Sequence, residues 1–279
     1  LFAFLPYTIT VHVGYGLGWL AAHIPNARSK VVKTNLRLCF PNLSEEEIDK
    51  LAIEHWKLFG RSVVERSRVW LGTSNQILSF VRLESNVPLG DRKPRILVNP
   101  HFVGLEGGFM ALSALAKKNG WPRGAGLYQK MKNPFFNQKM VEWRDRFGAK
   151  SIERQSRLRD LIRETRDGNF VVIAPDIDLG PRDSIFVPFF NIPTSTVTSV
   201  SRLAKLSGAE VCLMTTFLNV DKSGYTCNIG SPLEEFPSDD PEKDTARLNQ
   251  YIEELVRERP AEYYWVHKRF KHRPAGEPS

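Results

Sequence analysis

The chain has 279 residues, 42% of them hydrophobic, with 39 Lys or Arg against 31 Asp or Glu and a formal charge of +8. That is enough apolar material to bury a real core, in one large domain or two small ones. The three cysteines, Cys39, Cys212 and Cys227, are far apart, odd in number and form no C-x-x-C; this excludes a disulfide framework and a cysteine zinc site, and fits a reducing compartment.

From Leu1 to Ala27 there is no Lys, Arg, Asp or Glu. Leu1 to Ile24 matches the length of a bilayer span, at roughly 20 residues. Phe2, Phe4, Tyr7 and Trp19 suit the interfaces, whereas Pro6, His12, His23, Gly14, Gly16 and Gly18 interrupt the run. Arg28, Lys30, Lys33 and Arg37 follow as a basic flank of the kind kept on the cytoplasmic side. A cleaved signal peptide fits poorly, with no basic n-region and no clear cleavage site. Residues 1–27 therefore read as a membrane anchor or re-entrant helix, with a buried core helix as the alternative, and 28–279 as the functional domain.

Further along, Ser44-Glu45-Glu46-Glu47 has the form of a capping box. A helical pattern follows through Ile48, Leu51, Ala52, Phe59 and Val63. Pro88 to Pro94 is a polar turn, and Arg95-Ile96-Leu97-Val98 is strand-like. Asn133-Pro134 starts a helix running to Phe147, and another spans 156–167. Phe170 to Ala174 is a strand. Thr196 to Leu206 reads as a helix, Glu210 to Val220 and Tyr225 to Ile229 as strands, and Asp240 to Arg259 as a last helix stopped by Pro260. Helices alternating with short apolar strands predict an α/β fold, with a mixed, largely buried sheet flanked by helices. No internal repeat interrupts this order.

Two strands end alike, as Val98-Asn99-Pro100-His101 and Ile173-Ala174-Pro175-Asp176. Ligands of open α/β sheets bind beyond the carboxyl ends of the strands, so both turns are expected to face one site. The first turn continues Phe102-Val103-Gly104-Leu105-Glu106-Gly107-Gly108. Five positions separate His101 from Glu106, and same-face partners on one helix lie three or four apart. The two side chains can meet only if His101 precedes the helix. A histidine held by a carboxylate is a general base, which predicts an enzyme. No G-x-S-x-G is present and no cysteine has a histidine nearby in sequence, so a covalent nucleophile is not expected.

Six blocks, in order, carry a resemblance along nearly the whole chain. They are Asn35-Leu36-Arg37-Leu38-Cys39-Phe40-Pro41, the His101 to Glu106 run, and Tyr128 through Asn133-Pro134. Ala174 through Arg182, Ser184 through Phe190 and Glu262 through Lys271 complete them. The chain resembles the late acyltransferases of lipid A biosynthesis, within the lysophospholipid acyltransferase superfamily. The resemblance implies a glycerolipid acyltransferase-like fold. It implies transfer of a fatty acyl group from acyl-acyl carrier protein to a hydroxyl of a lipid A precursor of the Kdo2-lipid IVA type. It also implies catalytic roles for His101 and Glu106, and important roles for Arg144 and Asp176. The Gln129-Lys130 step departs from the family's usual Arg-Pro after the tyrosine.

From Lys130 to Arg166 there are eleven Lys or Arg against five Asp or Glu, a net +6. Phosphates of a lipid acceptor, or the acidic face of a carrier protein, would explain that sign. Arg144 leads as a substrate-binding residue, with Lys132, Arg146 and Arg154 behind it. Asp176 and Asp178 are too thin a signal for a metal; they are expected to anchor Arg144 or Arg182, and no metal or cofactor is expected beyond the acyl donor. Ile185 to Phe190 is either a core strand or a wall for an acyl chain. The mixture of aromatics and cations from Tyr263 to Arg273 suits a lipid headgroup layer better than nucleic acid. The expected setting is the cytoplasmic face of a bacterial inner membrane, with acyl carrier protein, an anionic glycolipid and the membrane as partners and no nucleic acid. The rivals are acylation of another glycolipid, such as a phosphatidylinositol mannoside, from acyl-coenzyme A, and a catalytically silent membrane-binding module.

Overall fold

The computed structural model describes residues 5–154, 156, 158–180 and 184–276. Helix α1 (Tyr7–His23) is followed by α2 (Ala27–Cys39), α3 (Glu45–Leu71) and the short α4 (Ser74–Leu78). Strands β1 (Val81–Ser85) and β2 (Arg95–Val98) lead into α5 (Leu105–Asn119), β3 (Gly124–Tyr128), α6 (Pro134–Asp145), β4 (Lys150–Glu153) and α7 (Leu158–Arg166). Then come β5 (Phe170–Ile173), β6 (Ser184–Phe189), β7 (Ile192–Val197), α8 (Ser199–Ser207), β8 (Glu210–Leu218), β9 (Tyr225–Pro232) and α9 (Pro241–Glu258).

Seven strands form one sheet in the order β1-β9-β8-β2-β5-β3-β4. All neighbours are parallel except β8 and β9. The sheet is therefore mixed and α/β, as the alternating pattern predicts. Every residue of β2 and β5 is buried, which is what continuous apolar runs imply for strands covered on both faces. Arg95 opens β2 without breaking it, because Asp91, Glu210 and the Pro88 carbonyl satisfy its guanidinium.

The capping box at Ser44 is formed, and α3 runs beyond Val63 to Leu71. Asn133 caps α6 by accepting from the Phe136 amide. The helix expected from Thr196 begins at Ser199. Residues Ile192–Val197 instead pair antiparallel with β6 in a separate hairpin. Phe190 and Asn191, with φ of 53° and 61°, form its two-residue turn. That hairpin buries Val187 and Phe189 and leaves Phe186 outside, so this apolar stretch is half core wall.

Residues 1–27 are expected to form a membrane anchor or re-entrant helix, with a buried core helix as the alternative. Among the described residues no helix is long and apolar enough to cross a membrane. Helix α1 lies along α3 at glycine contacts: a Cβ on Gly18 would sit 2.2 Å from the Trp56 carbonyl oxygen, and one on Gly60 would sit 2.5 Å from Gly18 Cα. The opposite side of α1 leaves Leu17, Trp19 and Leu20 half exposed.

The aromatic and basic tail departs from its headgroup-layer reading. Tyr263, Trp265, Arg269 and Phe270 are buried. Asn35, from the first matching block, holds this tail by donating to the carbonyls of Trp265 and His267 at 2.8 and 2.7 Å. Arg269 donates to Ser195 and Thr196 of β7. The tail is a strap that ties α2, the hairpin and the carboxyl edge of the sheet together.

Candidate active site

Strands β2 and β5 are neighbours, with Val98 in register with Ile173. Each continues through two residues ending in proline to an ionisable third. Equal offsets from paired positions bring His101 and Asp176 side by side. His101 Nδ1–H donates to Asp176 Oδ1 at 2.7 Å, and the His101 amide donates to Oδ2 at 2.9 Å. The carboxylate can only accept, so Nδ1 carries the ring proton and Nε2 is left as a base. Asp176 is fully buried. Burial raises its carboxyl, but the charge and hydrogen bonds of His101, with the charge of Arg269 behind, outweigh this and hold it below the usual carboxylate range.

Glu106, expected on the imidazole, is elsewhere. It accepts from Trp70 Nε1 at 2.7 Å and from Arg144 through both carboxylate oxygens. The reason is topological. The turn puts His101 ahead of α5 and Glu106 within its first turn, facing the end of α6 that carries Arg144. Burial works to raise the Glu106 carboxyl, and the Arg144 charge reverses it, so the net direction is down. Asp176 likewise does not anchor Arg144.

A cleft of about 440 Å³ connects these groups. His101, Glu106, Arg144 and Asp178 line it, together with Arg66, Tyr264 and His267. The Tyr264 ring stacks near His101, at 5.8 Å between centroids and 28° between planes. Asp178 accepts from His272 Nδ1 at 2.8 Å and from the Gly180 amide. His267 Nε2 accepts from the Asp178 amide at 2.9 Å. Burial, then the charge of His101, pushes His267 down to about 4, so it is neutral.

Three further candidates lie outside this constellation. Lys132 and Arg154 are exposed and do not line the cleft. Arg146 turns away, donating to the Val69 carbonyl at 3.0 Å and covering the Phe147 ring. Arg182 lies outside the described residues. Sequence reasoning did not single out Arg66, Trp70, Tyr264 or His267. Nor did it pair Asp176 with His101, although the equal Pro-offset of the two turns was a readable signal. Among the described residues no group of three His, Cys, Asp or Glu stands ready to hold a metal ion.

An imidazole with one nitrogen fixed by a carboxylate and the other free in a cleft can take a proton from an alcohol. A family model for bacterial lipid A biosynthesis acyltransferases matches residues 1–272. The chain belongs to that family. This lipid A acyltransferase is 32% identical to the lipid A biosynthesis lauroyltransferase of Escherichia coli strain K12, over 99% of this chain and 89% of that protein. It is 31% identical to a lipid A biosynthesis acyltransferase of Haemophilus influenzae, over 97% and 86%, and 31% identical to the palmitoleoyltransferase of Escherichia coli K12, over 99% and 89%. Among solved structures, a 1-acyl-sn-glycerophosphate acyltransferase of Thermotoga maritima aligns with a TM-score of 0.39 and 15% identity, over 90% of this chain and 94% of that one. The lipid A acyltransferase is thus an O-acyltransferase, and the geometry above is where its chemistry must be sought.

Proposed function

We propose that this enzyme transfers a fatty acyl chain from acyl-acyl carrier protein to a hydroxyl of a phosphorylated lipid A precursor, with His101 as general base. The observation that carries the reading is the His101–Asp176 pair opening into the cleft. A thioester is already activated, so the alcohol is what needs help. His101 Nε2 takes the hydroxyl proton as the oxygen attacks the thioester carbonyl; the C–S bond then breaks and the thiolate recovers the proton from the imidazolium. Asp176 keeps the ring in the required tautomer and stabilises its positive charge. Such help is worth about 10²–10⁴ in rate.

The amides of His101, Phe102, Val103 and Leu105 are already bonded within the turn or to Asp176 and Glu262. The first-turn amides of α5 at Glu106 and Gly107 are the candidates for stabilising the carbonyl oxygen as it gains charge. Glu106 acts at one remove, by fixing Arg144 in the wall with Trp70 bonded behind it.

The enzyme works at the cytoplasmic face of the inner membrane. This is supported by the half-exposed Leu17, Trp19 and Leu20 of α1 and by Phe135 and Phe136 at the start of α6, which are 61% and 54% exposed. Exposed Lys130 and Lys132 shortly precede the latter pair, and aromatics with cations suit an anionic headgroup layer.

The test is incubation of the purified full chain with a defined lipid A precursor and acyl-carrier or acyl-coenzyme A donors, read by mass spectrometry. One acyl increment from the carrier donor, abolished in His101→Ala, is expected. No increment with any donor, or normal turnover by His101→Ala, overturns the proposal.

A further inference from the structure

Arg144, the cation expected to bind an anionic substrate, is neutralised by Glu106. A second arginine of the cleft wall is not. Arg66 sits on α3 one turn before Trp70, and its guanidinium carbon lies 5.6 Å from the Trp70 ring centroid. Its Nε is buried and without an acceptor. Arg68, Arg146 and Arg269 also have an idle Nε, but each uses another N–H on a carbonyl. Arg66 makes no hydrogen bond or ion pair among the described residues.

Every carboxylate lining the cleft already has its partners. Glu65 is held by Arg61 at 2.8 Å, with Tyr7 and Tyr225. Glu106 has Arg144 and Trp70, and Asp178 has His272. The charge of Arg66 reaches Glu106 through space, but no contact is made. Its aromatic platform is rigid, because the Trp70 indole donates to Glu106 and stacks on Trp143 at 5.6 Å. A guanidinium whose Nε is buried without an acceptor is costly to keep unless an anion completes it. Its planar fork matches a phosphate or carboxylate, not a neutral sugar.

We propose that Arg66 is the cleft's oxyanion-binding residue, taking a phosphate monoester or sugar-acid carboxylate of the substrate in the same cleft that His101 lines. The assignment rests on the acyl-transfer reading and names the recognition element within it. Three sources share this chemistry: a phosphate of the acceptor, a carboxylate of its sugar acids, and the phosphate of the donor's pantetheine arm.

The experiment compares wild type, Arg66→Gln and Arg66→Lys in steady-state kinetics. The substrates are the intact acceptor, an acceptor without phosphates, an acceptor without sugar acids, and a donor thioester without the pantetheine phosphate. Loss of one charge-assisted contact should raise KM for the substrate bearing the bound group about 10–100-fold. kcat should stay within about twofold, and Arg66→Lys should recover part of the loss. On the substrate lacking that group, Arg66→Gln should match wild type. Unchanged KM in Arg66→Gln, or an equal penalty on every stripped substrate, overturns the proposal. If wild type forms no product, the acyl-transfer reading fails separately, and Arg66 is then read by the melting temperature in inorganic phosphate. A rise in wild type that Arg66→Gln lacks supports the assignment; equal behaviour overturns it.

Discussion

At the scale of single residues, two carboxylates near the cleft have different partners. Asp176 meets the ring of His101, and Glu106 meets Arg144. Substituting each separates the roles. Asp176→Asn puts an amide where an acceptor-only group stood, which weakens the hold on the Nδ1–H tautomer and removes the charge that supports the imidazolium. We expect kcat to fall by about 10²–10⁴ with the fold retained. Glu106→Gln leaves the His101 pair intact but strips the partly buried Arg144 of its counter-charge, a change that costs at most the roughly 3–5 kcal/mol of a fully buried pair. Its signature should be a lowered melting temperature that accompanies any loss of activity. A silent Asp176→Asn beside an inactive but fully stable Glu106→Gln would reverse the two assignments.

At the scale of elements, α1 has two faces with opposite sensitivities. Its glycine face meets α3 with no room for a side chain at Gly18 or at Gly60 opposite. Gly60→Leu should lower the melting temperature markedly, since overpacking of a close contact costs about 1–3 kcal/mol. The outer face, with Leu17, Trp19 and Leu20, touches little of the protein. Changing all three to Ser should leave the melting temperature within a degree or two and reduce flotation with anionic vesicles severalfold. Unchanged flotation would remove α1 from the membrane-facing surface. The charge-free run made the helix legible, as capping chemistry did α3 and α6. The strands β1, β3 and β4 escaped notice because, unlike the equally short β2 and β5, they are not continuous apolar runs: polar residues or glycines interrupt them. The β6–β7 hairpin displaced an expected helix start because strand pairing overrode a run of Thr, Val and Ser.

At the scale of the whole molecule, buried ionisable groups set opposing pH windows. His55 is fully buried and its Nδ1 lies 3.1 Å from the Ala261 carbonyl. Burial pushes it down to about 4. It must be neutral in the fold, so stability present above about 6.5 is lost as pH falls toward 4. Glu262 acts the other way. It accepts from the Leu218 amide at 2.8 Å, and its own carbonyl accepts from Val103 in the His101 turn. Burial pushes it up to about 7. The folded state then holds a proton that the unfolded chain releases above about 4.5, so stability declines as pH rises from there to 7. Glu262→Gln keeps the acceptor and removes the titration. Its melting temperature should match wild type near pH 4.5 and exceed it increasingly to pH 7.5, by at most about 3 kcal/mol in stability. A gap that does not vary with pH would show that Glu262 is ionised throughout.

The amino-acid sequence alone determined whatever depends on neighbours along the chain: the α/β alternation, the helix caps, the proline turns and the blocks that mark the family. Such features follow from local periodicity and turn chemistry. Tertiary structure decided which carboxylate meets the imidazole. His101 and Asp176 are 75 positions apart, and only the parallel register of two buried strands brings them together. The same holds for the tail, whose aromatics and cations could face lipid or core. Asn35 and β7 supply hydrogen-bond partners for it, and such partners are what allow polar groups to be buried.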